Sequence, residues 1–135
     1  MVDILIVDDS RVMREMIIAC LRPVAGAAFT QAASGLHAIE WLSQLNFGLM
    51  VLDLTMPDIG GCEVLEFARG QDSLRWLPVI VVTAQGDAGA QAQAMKAGAS
   101  RFFTKPFDPD AILTEIRALV ASRDPAMAIG SGSIR

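Results

Sequence analysis

Short apolar runs rich in Val, Ile, Leu and Phe recur at Ile4–Val7, Ala27–Ala32, Leu49–Leu52 and Val79–Val82. Each is too short for a helix, so each predicts a strand. A fifth strand is predicted at Arg101–Thr104, after the stop signal Gly98 and before Lys105-Pro106, which ends it. Between the strands, apolar positions recur at helical spacing over Arg11–Leu21, Gly35–Leu45, Cys62–Arg69 and Asp87–Ala97, with a last helix from Pro109 to about Ser122. In that last helix Ile112, Leu113, Ile116, Leu119 and Val120 form the apolar stripe, and Asp108 and Pro109 suit the N-cap and first helical position. The fourth helix is weak by propensity: Gly86 and Gly89 fall in its first turn and its body is mostly Ala and Gln. It is expected to move easily.

Strict alternation of strands and helices, with strands that are apolar nearly throughout, predicts an α/β fold of the doubly wound kind, a parallel sheet covered by helices on both faces. The 135 residues, 53% of them hydrophobic, supply one sizeable core and leave no room for a second folded module. The expected division is a domain over 1–122 and a tail over 123–135. From Asp124 onward the tail is rich in Pro, Ala, Gly and Ser without periodicity, as in a flexible end or linker stub. There is no internal repeat.

With 11 Lys plus Arg against 15 Asp plus Glu, the formal charge of −4 disfavours non-specific attraction to nucleic acid or anionic lipid. Cys20 and Cys62 lack CxxC spacing and lie in apolar segments, as free core thiols do. No basic segment followed by a long apolar stretch opens the chain. The expectation is a cytoplasmic protein with neither a signal peptide nor a membrane anchor.

Candidate chemistry follows from where the polar residues fall. Ligands of open parallel sheets bind at the carboxyl ends of the strands. The first predicted strand ends in Asp8-Asp9, the third in Asp53, the fourth in Thr83 and the fifth in Lys105. Any one of these acids alone reads as a helix cap or a solvated side chain. Together, three carboxylates at one edge repel unless a cation or proton offsets them. Oxygen ligands without His or Cys favour a hard cation, magnesium above all where phosphate is also bound. Lys105 and Thr83 suit phosphoryl oxygens, which makes Asp53 the expected nucleophile, already ionised and in need of no general base.

These residues carry a resemblance. Ile6-Val7-Asp8-Asp9-Ser10, Asp53-Leu54-Thr55-Met56-Pro57 with Gly61, Val82-Thr83-Ala84, Ala97-Gly98-Ala99 and Phe103-Thr104-Lys105-Pro106-Phe107 resemble, in order and spacing, the receiver domains of bacterial two-component response regulators. The likeness covers residues 1 to about 122. It implies strand order 2-1-3-4-5, which the residues themselves do not supply. It further implies Mg2+, or Mn2+, held directly by Asp9 and Asp53 and by the Thr55 carbonyl, with Asp8 acting largely through water. Asp53 is then the phosphoacceptor, Thr83, the Ala84 N–H and Lys105 bind the phosphoryl group, and Lys105-Pro106 is a cis peptide. Thr83 and Phe102 would form the switch, with a ring that lacks a hydroxyl and so acts through packing alone. The implied donor is a sensor histidine kinase or a histidine phosphotransfer protein. The implied output is a protein partner or a second copy, docked on the fourth helix, fifth strand and fifth helix. Gln85 and Thr55 stand where such domains tune phosphoryl lifetime. No substrate turnover is expected, so the protein is not read as an enzyme.

Two other readings compete. A phosphatase of the haloacid dehalogenase type would place its aspartyl nucleophile on the first strand and a second Asp two residues later, where this chain has Thr55. A flavodoxin-like FMN protein would need a Ser/Thr/Gly-rich phosphate loop in place of Asp8-Asp9-Ser10. The expected forms are a stand-alone regulator, a phosphorelay intermediate, or the receiver part of a longer protein whose linker begins near Asp124, although Ser100-Arg101 stand where winged-helix DNA-binding regulators often carry paired Asp. His37 reads as a surface residue rather than a phosphodonor. Cys62, at a predicted helix start, reads as packing, or else as a thiol with a lowered pKa.

Overall fold

The computed structural model describes residues 2–84 and 86–122. Its strands are β1 (Val2–Val7), β2 (Ala27–Ala32), β3 (Leu49–Leu52), β4 (Val79–Thr83) and β5 (Arg101–Thr104). Its helices are α1 (Arg11–Leu21), α2 (Gly35–Gln44), α3 (Gly61–Gly70), α4 (Ala88–Ala97) and α5 (Pro109–Ser122). All strand pairs are parallel and the order is β2-β1-β3-β4-β5. The expected doubly wound α/β fold is therefore observed.

Strand parity explains the apolar runs. Leu5, Val7, Met50, Leu52, Val79 and Val81 face one core with Ala38, Leu42, Val64, Leu65 and Ala94 of α2, α3 and α4. Ile4, Ile6, Leu49, Val51, Ile80 and Val82 face the other, with Ile17, Ile18, Leu21, Ile112 and Ile116 of α1 and α5. A central strand buried on both faces needs apolar residues at both parities, which is why β3 and β4 read as continuous runs.

Several boundaries differ from the expected ones. β1 begins at Val2, because Val2 and Asp3 pair with Ala27 and Ala28. A 3-10 turn, Asp72–Leu74, was not anticipated; three residues are too few to show a period. Asp87 is the N-cap of α4, its carboxylate accepting from the Ala90 N–H at 2.7 Å, so Gly86 lies outside the helix and only Gly89 weakens its first turn. The N-cap expected for α5 is present: Asp108 accepts from the Asp110 N–H at 3.0 Å. The 123–135 tail and Gln85 lie outside the described residues. Among the described residues, no helix is long and apolar enough to cross a membrane.

Candidate functional site

Strand order reverses between β1 and β3, and there the backbone ladder runs one residue past each strand. The Asp53 N–H donates to the Val7 carbonyl at 3.0 Å and the Asp8 N–H to that of Ala32 at 3.1 Å. At the far side the Lys105 N–H donates to the Thr83 carbonyl at 2.9 Å. Parallel register thus carries Asp8, Asp53, Thr83 and Lys105 to one edge, at the switch point where open sheets bind ligands.

Carboxylate oxygens of Asp8, Asp9 and Asp53 all lie within 4.8 Å of one another. Asp8 and Asp53 are buried, at 1% and 5% exposure, while Asp9 is exposed. Lys105 spans the buried pair, its Nζ 2.7 Å from Asp8 Oδ2 and 3.5 Å from Asp53 Oδ2. One ammonium against three carboxylates leaves the cluster short of positive charge, the condition under which a hard divalent cation is held by oxygens alone. The donor set fits such an ion.

Local chemistry fixes each acid. Asp8 Oδ1 accepts the Ser10 N–H at 2.9 Å, closing a turn, and the Ser10 hydroxyl in turn caps α1 by accepting from the Met13 N–H at 3.2 Å. Asp53 Oδ1 accepts the Thr55 N–H at 3.3 Å, and the buried Thr83 side chain lies beside the Asp53 carboxylate. Behind Asp53, α3 starts so close that a Cβ on Gly61 would strike the Asp53 carbonyl and come within 2.7 Å of the Leu54 Cα, which accounts for the glycine of the motif.

Burial pushes the Asp53 carboxyl above the ordinary aspartate range, and the Asp8 charge adds to this; Lys105, Thr83 and the Thr55 N–H oppose it. A carboxyl raised on folding stabilises the fold below its unfolded pKa, near ~3.9, and loses that contribution as pH rises through the raised value. At neutral pH without metal, the ionised Asp53 is therefore a cost. Asp53→Asn is expected to raise the thermal midpoint in EDTA at neutral pH, and the gap should close as pH falls into the ordinary aspartate range. A variant no more stable than wild type at neutral pH would contradict this.

The remaining expected residues are placed as follows. Ala84 is exposed at the end of β4, and Lys105-Pro106 is cis. Phe102 is half-buried opposite Val81 in the β4–β5 pair, on the same sheet face as Thr83 and packed against the α2–α4 core. His37 is half-buried, its ring centroid 5.7 Å from that of Trp41, rather than fully at the surface. The reactive-thiol reading of Cys62 is not supported: burial, then the Glu66 charge, pushes its pKa up. Sequence reasoning missed Arg14, whose guanidinium donates to the Asp8 carbonyl at 2.8 Å and to Gln31 Oε1 at 2.8 Å. It also missed Arg69, half-buried, which donates to the Gly98 carbonyl through two nitrogens at 3.1 and 2.7 Å and so ties α3 to the end of α4.

Comparison with known proteins gives four matches. The family model for the response regulator receiver domain matches residues 4–117. The chain is 31% identical over 134 residues to response regulator Rre1 of Synechocystis, covering 99% of this chain and 58% of that protein. It thus spans little more than half of that relative's length. It is 33% identical over 116 residues to the chemotaxis protein CheY of Pseudomonas aeruginosa, covering 86% of this chain and 94% of that one. Among solved structures, the signal receiver domain of a signal transduction histidine kinase from Syntrophus aciditrophicus superposes with a TM-score of 0.84 at 27% identity, over 93% of this chain and 94% of that one.

Proposed function

This chain belongs to the response regulator receiver domain family of two-component signalling, and on that footing we propose that Asp53 accepts a phosphoryl group in a Mg2+-dependent reaction that switches a protein-binding surface. The observation that carries this reading is the buried Asp8–Asp53 pair bridged by Lys105, with Asp9 beside it and too little positive charge to balance the three acids.

Asp53 and Asp9 would hold the metal with the Thr55 carbonyl. Asp8 suits an outer role through water, since Ser10 and Lys105 already occupy its two oxygens. Mn2+ fits the same oxygen set. When bound, the metal supplies neutralising charge at the phosphoryl oxygens. An Asp53 carboxylate oxygen forms the new bond to phosphorus, and the bond from phosphorus to the donor's histidine nitrogen, or to the oxygen of a small acyl phosphate, breaks with its electron pair leaving on the donor. Lys105 then pairs with a phosphoryl oxygen, while the Thr83 hydroxyl and the Ala84 N–H complete the cradle. The protein acts as a phosphoacceptor that catalyses its own modification and its own dephosphorylation, and turns over no separate substrate. The half-buried free thiols of Cys20 and Cys62 support a reduced, cytoplasmic setting.

The phosphoryl group would draw the Thr83 hydroxyl onto its own oxygens, and Phe102 lies one step down the same face of the β4–β5 pair. The ring's packing is the route to α4, β5 and α5, where an effector protein or a second copy would dock. Acetyl phosphate with Mg2+ should change amide hydrogen exchange over residues 88–104, and neither reagent alone should do so. Phe102→Ala should keep the phosphoryl adduct and lose most of that change. Loss of the adduct in Phe102→Ala would show instead that the ring supports the site itself.

A further inference from the structure

Asp9 is exposed and reaches the acidic cluster from a loop of only three residues, Asp8 to Ser10, between β1 and α1. A carboxylate that must meet a cation from such a loop depends on how firmly the loop backbone is held. The Asp8 side chain holds the Ser10 N–H, Ser10 caps α1, and the Ser10 carbonyl accepts the Arg14 N–H at 3.0 Å. Arg14 closes the circuit. Its half-buried side chain turns back from the first turn of α1 and puts Nη1 on the Asp8 carbonyl and Nε on Gln31 Oε1, each at 2.8 Å. Gln31 is itself anchored, paired to Ile6 in the sheet and accepting the Trp41 indole N–H on its carbonyl at 3.2 Å. Strand end, turn, helix cap and neighbouring strand are thus linked through one guanidinium.

We propose that Arg14 is a positioning residue for the cation site, fixing the Asp8 carbonyl against β2 so that Asp8 and Asp9 are presented at the spacing a divalent ion needs. This rests on the reading of Asp8, Asp9 and Asp53 as the Mg2+ site. Positioning and simple charge make opposite predictions. A cationic side chain near a dication repels it, so removing the charge alone would tighten Mg2+ binding. Removing an outer contact that orients ligands weakens metal affinity about 10- to 100-fold. The two acceptors also lie in different directions, and a planar guanidinium serves both at once where an ammonium reaches one.

The test is calorimetric titration of the intact chain with Mg2+ for wild type, Arg14→Met, Arg14→Lys and Gln31→Leu, with amide exchange of Ser10 followed in EDTA. Arg14→Met should weaken Mg2+ about tenfold, Arg14→Lys should not restore affinity, and Gln31→Leu should shift it the same way by less. The Ser10 amide should exchange faster in Arg14→Met without metal, a change that electrostatics alone would not produce. Gln31→Leu keeps the test open should Arg14→Met fold poorly. Equal or tighter Mg2+ binding by Arg14→Met, or full rescue by Lys, would overturn the positioning role. A wild type that binds no Mg2+ would instead sink the functional reading beneath it.

Discussion

Lys105→Met is expected to destabilise the metal-free domain by about 3 kcal/mol, because it strands two buried carboxylates that share this ammonium. The Lys105 side chain is only 17% exposed and those of its partners 1% and 6%, so solvent screens the loss weakly. That free energy corresponds to a drop in thermal midpoint on the order of 10 °C. Mg2+ at about 100 times its Kd stabilises a folded protein by about 2.7 kcal/mol. Methionine leaves the cation without a competing ammonium, so Mg2+ should raise the variant's midpoint more than it raises that of wild type. Recovery of the fold should not recover the chemistry. Without the lysine charge on a phosphoryl oxygen, adduct formation should fall roughly 100-fold or more even in saturating Mg2+. Thermal melts in EDTA and in Mg2+, with the rate of adduct formation, check all of this. An undiminished midpoint in EDTA would mean that Lys105 does not balance the acids.

What could be read from the chain, and what could not, divides along physical lines. The buried runs of β3 and β4 were legible because a strand covered on both faces must be apolar at every position. Asp8, Asp9, Asp53, Thr83 and Lys105 were legible as a group because each stands at a strand's carboxyl end, where parallel register brings strand ends together. Boundaries set by tertiary pairing were not. Val2 and Asp3 join β1 only because β2 lies alongside. Arg14 and Arg69 were invisible for a related reason. Each looks like an ordinary polar residue on a helix, and its partners, Gln31 and the Gly98 carbonyl, are 17 and 29 residues away in the chain. A half-buried arginine that donates to neutral oxygens has no local signature.

Asp53→Asn carries the largest expected effect, complete loss of phosphoryl acceptance. The amide is nearly isosteric and can still accept from the Thr55 N–H, so the fold should persist. It lacks the anionic oxygen that attacks phosphorus, and no neighbour substitutes for it: Asp8 is engaged by Ser10 and Lys105, and Asp9 is exposed at the rim. Removing one charge from the cluster should also weaken, though not abolish, Mg2+ binding, so loss of the adduct must be read at saturating metal. The most direct measurement is intact-mass analysis, with peptide mapping, of wild type and Asp53→Asn after incubation with acetyl phosphate and excess Mg2+. A single phosphoryl adduct on Asp53 in wild type, absent from Asp53→Asn and from wild type in EDTA, is the predicted result. An adduct that survives in Asp53→Asn, or none in wild type where another receiver domain is modified, would contradict the account.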